Sequence, residues 1–117
     1  MRLFASLLLI LSVSLFAQEK GGGKKAPPKN LKLLSADSNI REIMQGFEKA
    51  LGVTQCTYCH VQGDFASDAN PKKETARMMI SMARDVNSKF PDGKQHVTCF
   101  TCHRGAELPL MEAPTAQ

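Results

Sequence analysis

The organisation of this chain is set by the stretch Cys56-Thr57-Tyr58-Cys59-His60, CTYCH, and by its near copy CFTCH, from Cys99 to His103. We call these stretches the first box and the second box. Together they contain all four cysteines and two of the three histidines of the chain. In a helical turn, positions i, i+3 and i+4 share one face. Each box can therefore present two thiols and one imidazole to the same group.

The C-x-x-C-H spacing is the attachment signature of c-type haem, in which two sulfurs bond the porphyrin and the histidine that follows binds the iron. Two boxes predict two covalently attached haem c groups. The predicted thioether anchors are Cys56, Cys59, Cys99 and Cys102. His60 and His103 are the predicted proximal ligands of the irons. A chain of 117 residues without tryptophan builds only a small core, so the haems would supply much of its interior.

Three other interpretations of the paired cysteines compete with haem attachment. Two CxxC pairs can form a Cys₄ zinc site, but this gives no role to the histidine after each pair. A thioredoxin-type redox motif is expected in a βαβ context, which the sequence lacks. Two structural disulfides are the third interpretation. Haem attachment accounts for both the cysteines and the histidines, and we favour it for that reason.

The N-terminus has the pattern of a secretory signal. Met1-Arg2 is followed by an apolar run from Leu3 to Phe16, with Ala17 directly after it. The run is shorter than the roughly 20 apolar residues of a membrane-spanning helix, so residues 1–17 are predicted to be a cleaved signal peptide. The predicted location is the periplasm. The third residue before the expected cleavage is a leucine rather than a small residue, so an uncleaved anchor is the alternative. Membrane contact is expected only in that case.

Residues 18–33 are rich in glycine, lysine and proline and have almost nothing to bury, so they are predicted to form a flexible tether. From residue 30 onward, ten Lys/Arg balance ten Asp/Glu, so the formal net charge of +4 arises before that point. The folded part has no basic face with interleaved aromatics, and we therefore expect no nucleic-acid partner. The predicted domain spans residues 34–112, and residues 113–117 are predicted to be a disordered tail.

Two helices are predicted from the spacing of apolar residues. The first runs from Asn39 to Leu51, with a capping residue at its start and Gly52 as its stop. The second runs from Pro71 to Lys89. No segment shows the sustained period of two that is typical of a strand. We therefore predict an all-α fold, in which two helix–turn–CxxCH units pack around two haems with little or no sheet.

The second axial position of each iron is usually filled by methionine or histidine in a c-type electron carrier. Met44 lies on the apolar stripe of the first helix, twelve residues before Cys56, where it is either an axial ligand or a core residue. On the second helix, Met79 and Met82 are both predicted to face inward, and periodicity does not separate them. His96, three residues before the second box, is expected to face solvent.

Three stretches of the chain resemble the cytochrome c subunit of photosynthetic reaction centres. They are CTYCHVQGDFASD (Cys56–Asp68), ARMMISMARDVN (Ala76–Asn87) and VTCFTCHRG (Val97–Gly105). The resemblance implies an all-α fold in which the helix before each box supplies the distal ligand of that box's haem. It implies Met44 as this ligand for the first haem and Met79 for the second. In that family a histidine before the second box binds a haem of the other half, but His96 lies closer to the box, so we do not expect this ligation.

The resemblance covers only the first, two-haem half of that longer subunit, which usually carries four haems. It implies electron relay between redox proteins, with a membrane electron-transfer complex or a photosynthetic reaction centre as a partner. A stand-alone relative that serves respiration or another periplasmic chain is equally compatible with the sequence. We predict an exported dihaem electron carrier rather than an enzyme. The alternative function is a small haem enzyme or a gas-binding sensor, which needs a vacant axial site.

Overall fold

The structure, a computed structural model, describes residues 26–115. The predicted signal peptide (residues 1–17), the first part of the predicted tether (residues 18–25) and the last two residues lie outside the described part. Three α-helices and one short 3-10 turn form the secondary structure of residues 26–115. They are α1 (Ile40–Leu51), the 3-10 turn (Cys56–Tyr58), α2 (Pro71–Asn87) and α3 (Cys99–His103).

The described part of the chain contains no β-sheet. Its only β-type pairing is an isolated antiparallel bridge between Val61 and Asp64. The prediction of a helical fold without a sheet is confirmed for these residues. None of the helices in this part combines the length and the hydrophobicity that crossing a membrane requires.

α1 begins and ends where its flanking residues predict. The side-chain oxygen of Asn39 accepts a hydrogen bond from the backbone amide of Glu42 at 3.3 Å, which satisfies one of the free amides of the first turn. The Asn39 side-chain amide donates in turn to the Glu42 carboxylate at 3.1 Å. At the other end, Gly52 has a φ of 69°, the left-handed conformation that glycine adopts most readily.

α2 is capped by Asn70, whose side-chain oxygen accepts from the backbone amide of Lys72 at 3.0 Å. Pro71 occupies the first helical position, where no backbone amide hydrogen is needed. The helix ends at Asn87, two residues before the predicted end. It ends early because the amides of Lys89 and Phe90 bond to carbonyl oxygens only three residues back, in tighter turns than an α-helix.

α3 contacts both longer helices and holds them together. Its contact with α1 is close because two glycines meet there. The backbone amide of Gly105, just after α3, donates to the carbonyl oxygen of Ala50 at 2.9 Å. A Cβ on Gly52 would overlap the carbonyl oxygen of Gly105. This approach of the two backbones therefore requires glycine at position 52.

The chain before α1 lies against α2 and the loop that precedes it. Asn30 donates from its side chain to the carbonyl oxygen of Ala66 at 2.7 Å and to the carboxylate of Asp68 at 2.8 Å. The carbonyl oxygen of Leu33 accepts from Arg84 at 2.6 Å. The last residues of the predicted tether therefore contact the domain, because they carry donors and acceptors that match its surface.

The described residues bury little apolar surface. Ala50, 4% exposed, is the only buried hydrophobic residue among them. The large apolar side chains that remain exposed are Phe65, Met78, Met82, Val86, Phe90, Phe100, Leu108, Leu110 and Met111. A folded domain seldom leaves so many large apolar side chains in water unless something else covers them.

The apolar residues of α2 differ in exposure. Met82 is 52% exposed and Val86 is 42% exposed, whereas Met79 is half-buried. The half-buried line of the helix instead includes Ala76, Ile80, Ala83 and Asn87. α2 thus has apolar residues on two sides, and the side with the larger side chains is the more exposed one.

Candidate functional site

The two boxes form related but different turns. The first begins as the 3-10 turn, and the backbone amide of His60 donates to the carbonyl oxygen of Cys56 at 3.0 Å. The second box is α3 itself, whose start is capped by Thr98. In both boxes the histidine comes about one helical turn after the first cysteine, so the three functional side chains can share one face.

Each box has one half-buried and one exposed cysteine. Cys59 and Cys99 are half-buried, Cys56 and Cys102 are exposed, and none of the four forms a disulfide. Burial raises the pKa of the Cys59 thiol and of the Cys99 thiol, whereas a thioredoxin-type nucleophile has a lowered pKa. Within residues 26–115, no three His, Cys, Asp or Glu side chains come together as a metal site, so the boxes do not form a Cys₄ site there.

The two box histidines make the same hydrogen bond. Nδ1 of His60 lies 3.0 Å from the carbonyl oxygen of Phe65, and Nδ1 of His103 lies 3.0 Å from that of Ala106. A carbonyl oxygen only accepts, so Nδ1 carries the proton and donates in both rings. The lone pair of Nε2 is then left for a metal, and the carbonyl fixes the ring orientation, as is usual for a metal-binding histidine.

Met44 lies on the side of α1 that meets the first box. It is half-buried. Glu48, one helical turn further along α1, accepts a hydrogen bond from Sγ of Cys56 at 3.6 Å. Residues four apart share a helix face. Met44 and the first box are therefore on the same side of α1.

An apolar cavity of about 520 Å³ lies between α1, α2 and the second box. Its lining residues are Leu34, Ile43, Gly46, Phe47, Ala50, Ile80, Ala83, Arg84, Asn87, Gln95, Thr98, Cys99 and Phe100. Met79 is not part of the lining, although Ile80, the next residue along α2, is. Cys99 brings the second box to this cavity, so the box borders apolar space that it shares with both long helices.

Two asparagines fasten the boxes to α2. At the start of the helix, the side-chain amide of Asn70 donates to the carbonyl oxygen of Tyr58, in the first box, at 3.1 Å. At its end, the side chain of Asn87 accepts from the backbone amides of His96 and Val97 at 2.8 and 2.9 Å and donates to the Val97 carbonyl oxygen at 2.8 Å. The sequence predicts a helix start at Pro71 but no contact between Asn70 and the first box, and no pattern predicts the role of Asn87.

His96 is engaged away from the boxes. Its Nε2 lies 2.9 Å from the carboxylate of Asp92, and its ring stacks on Phe90 with the centroids 4.0 Å apart. The side chain is 38% exposed. This pairing occupies Nε2 and holds the ring beside the turn that follows α2.

These features fit covalently attached haem. Each box offers two thiols at the attachment spacing and one imidazole nitrogen whose lone pair is kept available by a fixed tautomer. Apolar surface of the kind that a porphyrin would cover lies at the boxes, where Phe65 and Phe100 are each 56% exposed. The donor set and its surroundings therefore match the chemistry that the C-x-x-C-H spacing predicts.

The family profile described as photosynthetic reaction centre cytochrome C subunit matches residues 16–113. The photosynthetic reaction center cytochrome c subunit of Rubrivivax gelatinosus is 38% identical over 92 residues, which cover 64% of this chain and 25% of that protein. The same subunit of Thermochromatium tepidum is 46% identical over 59 residues, or 46% of this chain and 14% of that protein. Cytochrome c-554 of Chloroflexus aurantiacus is 47% identical over 62 residues, or 49% of this chain and 15% of that protein.

The chain thus spans a quarter or less of the length of these relatives. No solved structure matches it significantly. The family profile covers most of the chain, and the resemblance carried by the boxes and their flanks is confirmed. Covalent attachment of haem c is the chemistry of this family, and it is the chemistry that the two boxes fit. The chain belongs to the photosynthetic reaction centre cytochrome c subunit family.

Proposed function

We propose that this chain is an exported dihaem c-type cytochrome that relays electrons between redox partners. The observation that carries the proposal is the repeated histidine geometry: two rings, each with Nδ1 bonded to a carbonyl oxygen 3.0 Å away and each following a cysteine pair at the attachment spacing. Both cysteine pairs of the chain stand in this arrangement, which supports two haems rather than one.

Each box has a defined set of roles in this proposal. The thioether anchors are Cys56 and Cys59 in the first box, and Cys99 and Cys102 in the second. His60 and His103 would be the proximal ligands. Met44 would be the distal ligand of the first haem and Met79 that of the second, since the position of Met44 beside the first box and the half-burial of Met79 both favour these assignments.

The ligand set favours electron relay over bond-making chemistry. Haem supplies one-electron redox chemistry between Fe(III) and Fe(II) when bound. Two protein ligands on each iron would leave no position at which a substrate or a gas could bind. A methionine thioether in place of a second histidine raises the reduction potential, so Met44 and Met79 would also set the range in which the protein works.

The proposed location is the periplasm, because residues 1–17 have the pattern of a secretory signal. The proposed partners are redox proteins, including a membrane electron-transfer complex such as the photosynthetic reaction centre for which two of the relatives are named. From residue 30 onward the basic and acidic residues are equal in number, so the domain itself would carry almost no net charge.

A haem count tests the proposal. The chain is produced in a host with a haem-ligation system, and a pyridine haemochrome assay then measures haem content and linkage. We expect two thioether-linked haems per chain and two one-electron steps in a redox titration. A content of one haem, or haem that is extracted by acidified solvent, would contradict the proposal. Carbon monoxide binding to the reduced protein would favour the sensor or enzyme alternative instead.

A further inference from the structure

One carbonyl oxygen in the loop after the first box accepts two hydrogen bonds. Nδ1 of His60 lies 3.0 Å from the Phe65 oxygen, and Nζ of Lys73 lies 2.9 Å from the same atom. A charged ammonium on α2 therefore shares its acceptor with the histidine that is the proposed iron ligand of the first box. This contact links the electrostatics of α2 to the first haem site.

Lys73 is built into this loop rather than solvated. Its Nζ also donates to the carbonyl oxygens of Ala66 and Ser67, at 2.9 and 2.8 Å. These bonds, together with the one to Phe65, use all three donors of an ammonium group. The side chain is only 12% exposed, so solvent screens its charge less than that of an ordinary surface lysine.

Several other charged side chains lie around Lys73. The carboxylate of Asp68 lies 3.4 Å from Lys73 Nζ, 2.8 Å from Arg77 and 3.1 Å from Lys32. Glu74 lies 3.0 Å from Arg77. Three cations thus face two anions in this cluster, and the Asp64 carboxylate, which accepts from the backbone amides of Ala66 and Ser67 at 3.2 Å, places a third anion in the loop itself. Lys73 is the cation of this group that contacts the acceptor of His60 directly.

The second box has a different environment. Nδ1 of His103 donates to the carbonyl oxygen of Ala106 at 3.0 Å. Among the hydrogen bonds of residues 26–115, none joins a lysine or arginine to that oxygen. The two histidines therefore have the same tautomer and the same kind of acceptor, but only the acceptor of His60 is polarised by a cation.

We propose that Lys73 is a positioning residue that raises the reduction potential of the first haem and so makes the two haem sites unequal. The inference rests on the proposed function. A hydrogen bond from a ligating histidine to an acceptor increases the basicity of the ligand. Lys73 donates to the same Phe65 oxygen. This competition weakens the hydrogen bond from His60 and would reduce electron donation from the His60 ring to the iron. The positive charge also favours the less positive oxidation state of the iron, so both effects act in the same direction.

The test is a redox titration of the two-haem protein carrying Lys73→Met. We expect at least a threefold decrease in the equilibrium constant for reduction of one haem, which is a fall of about 28 mV at 59 mV per tenfold change. The other step should stay in place. Proton NMR shows which haem the shifted step belongs to. The centroids of the Phe65 and His60 rings are 5.1 Å apart, so a nuclear Overhauser contact between these rings identifies the first haem site.

Three further variants separate the proposed role from a general loss of charge. Lys72→Met removes the same charge from the neighbouring position, where Nζ donates to the Tyr58 hydroxyl at 2.9 Å, and should shift the first haem less. Lys73→Arg keeps the charge and should restore most of the potential. Asp68→Asn leaves Lys73 in place and removes a nearby negative charge, so it should move the potential of the first haem upward.

If Lys73→Met moves neither step, or moves the first step no more than Lys72→Met does, the inference is overturned while the proposed function stands. If Lys73→Met does not assemble with haem, the Asp68→Asn shift decides, and a downward or absent shift overturns the inference. If the unmodified chain lacks two haems, the proposed function fails and the inference fails with it.

Discussion

The backbone amide of Gly105 donates a 2.9 Å hydrogen bond to the carbonyl oxygen of Ala50 and so ties the residues after the second box to the end of α1. Ala50 is the most buried residue of the described part, and Gly52 lies against the Gly105 carbonyl group. α1 therefore supports the second box through its end while its Met44 side borders the first box. Both boxes therefore depend on contacts with α1.

Gly52→Ala should destabilise the protein strongly. The left-handed φ of 69° is strained for alanine, and the new Cβ would overlap the backbone oxygen of Gly105. The matched control is Gly63→Ala, where φ is 79° but nothing lies within 4 Å of the new Cβ. We expect a loss of about 1–2 kcal/mol for the control, and at least about 3 kcal/mol for Gly52→Ala, by denaturant unfolding of the haem-loaded protein. Equal losses would show that the approach of the two glycines does not matter.

Met44→Leu and Met79→Leu should each remove about half of the near-infrared band that reports methionine on ferric haem, because each would remove one sulfur ligand from one of two irons. Met82→Leu is the control, since Met82 lies three residues after Met79 on α2 and is 52% exposed. The band is read directly from the absorption spectrum of the oxidised protein. Loss of the band in Met82→Leu, with Met79→Leu intact, would exchange the roles of these two residues.

Asn87→Ala should free the segment that leads into the second box. It removes three hydrogen bonds to the backbone of His96 and Val97. We expect a loss of about 1–3 kcal/mol, because partly buried backbone groups lose their partners. Hydrogen exchange at the His96 and Val97 amides should accelerate, while exchange in the first box stays unchanged. Ser88→Ala is the control, since Ser88 bonds only to the nearby Asp85 carbonyl oxygen. Equal protection in both variants would contradict this role of Asn87.

Asp68 should stabilise the protein at neutral pH and lose this effect in acid. The guanidinium of Arg77 and then the ammonium of Lys32 hold the pKa of the Asp68 carboxyl well below its usual range. A carboxyl whose pKa is lowered by folding contributes its full stabilisation above the pKa of the unfolded chain, about 3.9. The contribution falls as the pH drops below that value toward the lowered pKa.

The difference in unfolding free energy between the parent chain and Asp68→Asn measures this effect. We expect it to be constant from pH 7 to pH 5 and to shrink toward pH 2. The haem-loaded protein is used throughout, with unfolding by denaturant at each pH. A difference that is as large at pH 2 as at pH 7 would show that the carboxylate charge of Asp68 is not responsible.

The chain produced without haem attachment should be largely unfolded. Within residues 26–115 only Ala50 is a buried apolar residue, which cannot offset the conformational entropy that folding removes, and the large apolar side chains there would have nothing to pack against. We expect a poorly dispersed amide NMR spectrum for the haem-free chain and a well-dispersed one for the haem-loaded chain. Good dispersion in both would mean that the helices pack without the haems.

The starts and ends of the helices could be predicted from the sequence because neighbouring residues determine them. Asn39 and Asn70 are caps, Pro71 begins a helix and Gly52 ends one, each for reasons that involve only neighbouring residues. The box histidines and cysteines were equally accessible, since their spacing within five residues defines the attachment chemistry.

Contacts between residues that are distant in the sequence could not be predicted. Gly52 and Gly105 are far apart in sequence, and the residues next to them do not indicate that their backbones meet. Nothing in the sequence distinguishes Lys73 from Lys72 beside it, because its acceptors are backbone carbonyls, which every residue has. The difference in exposure between Met79 and Met82 could not be predicted either, because periodicity depends on the size and spacing of side chains and not on what packs against them.

The hydrogen bonds of Asn70 and Asn87 restrict how the length of α2 can change in evolution. At 1.5 Å per residue, the 17-residue helix is about 26 Å long, and it has one box fastened at each end. An inserted residue would turn one box by about 100° relative to the other and lengthen the gap between them. Insertions in the connecting loops would leave that geometry unchanged. Variation in length among relatives should therefore collect in the loops, while α2 keeps its residue count even where its sequence drifts.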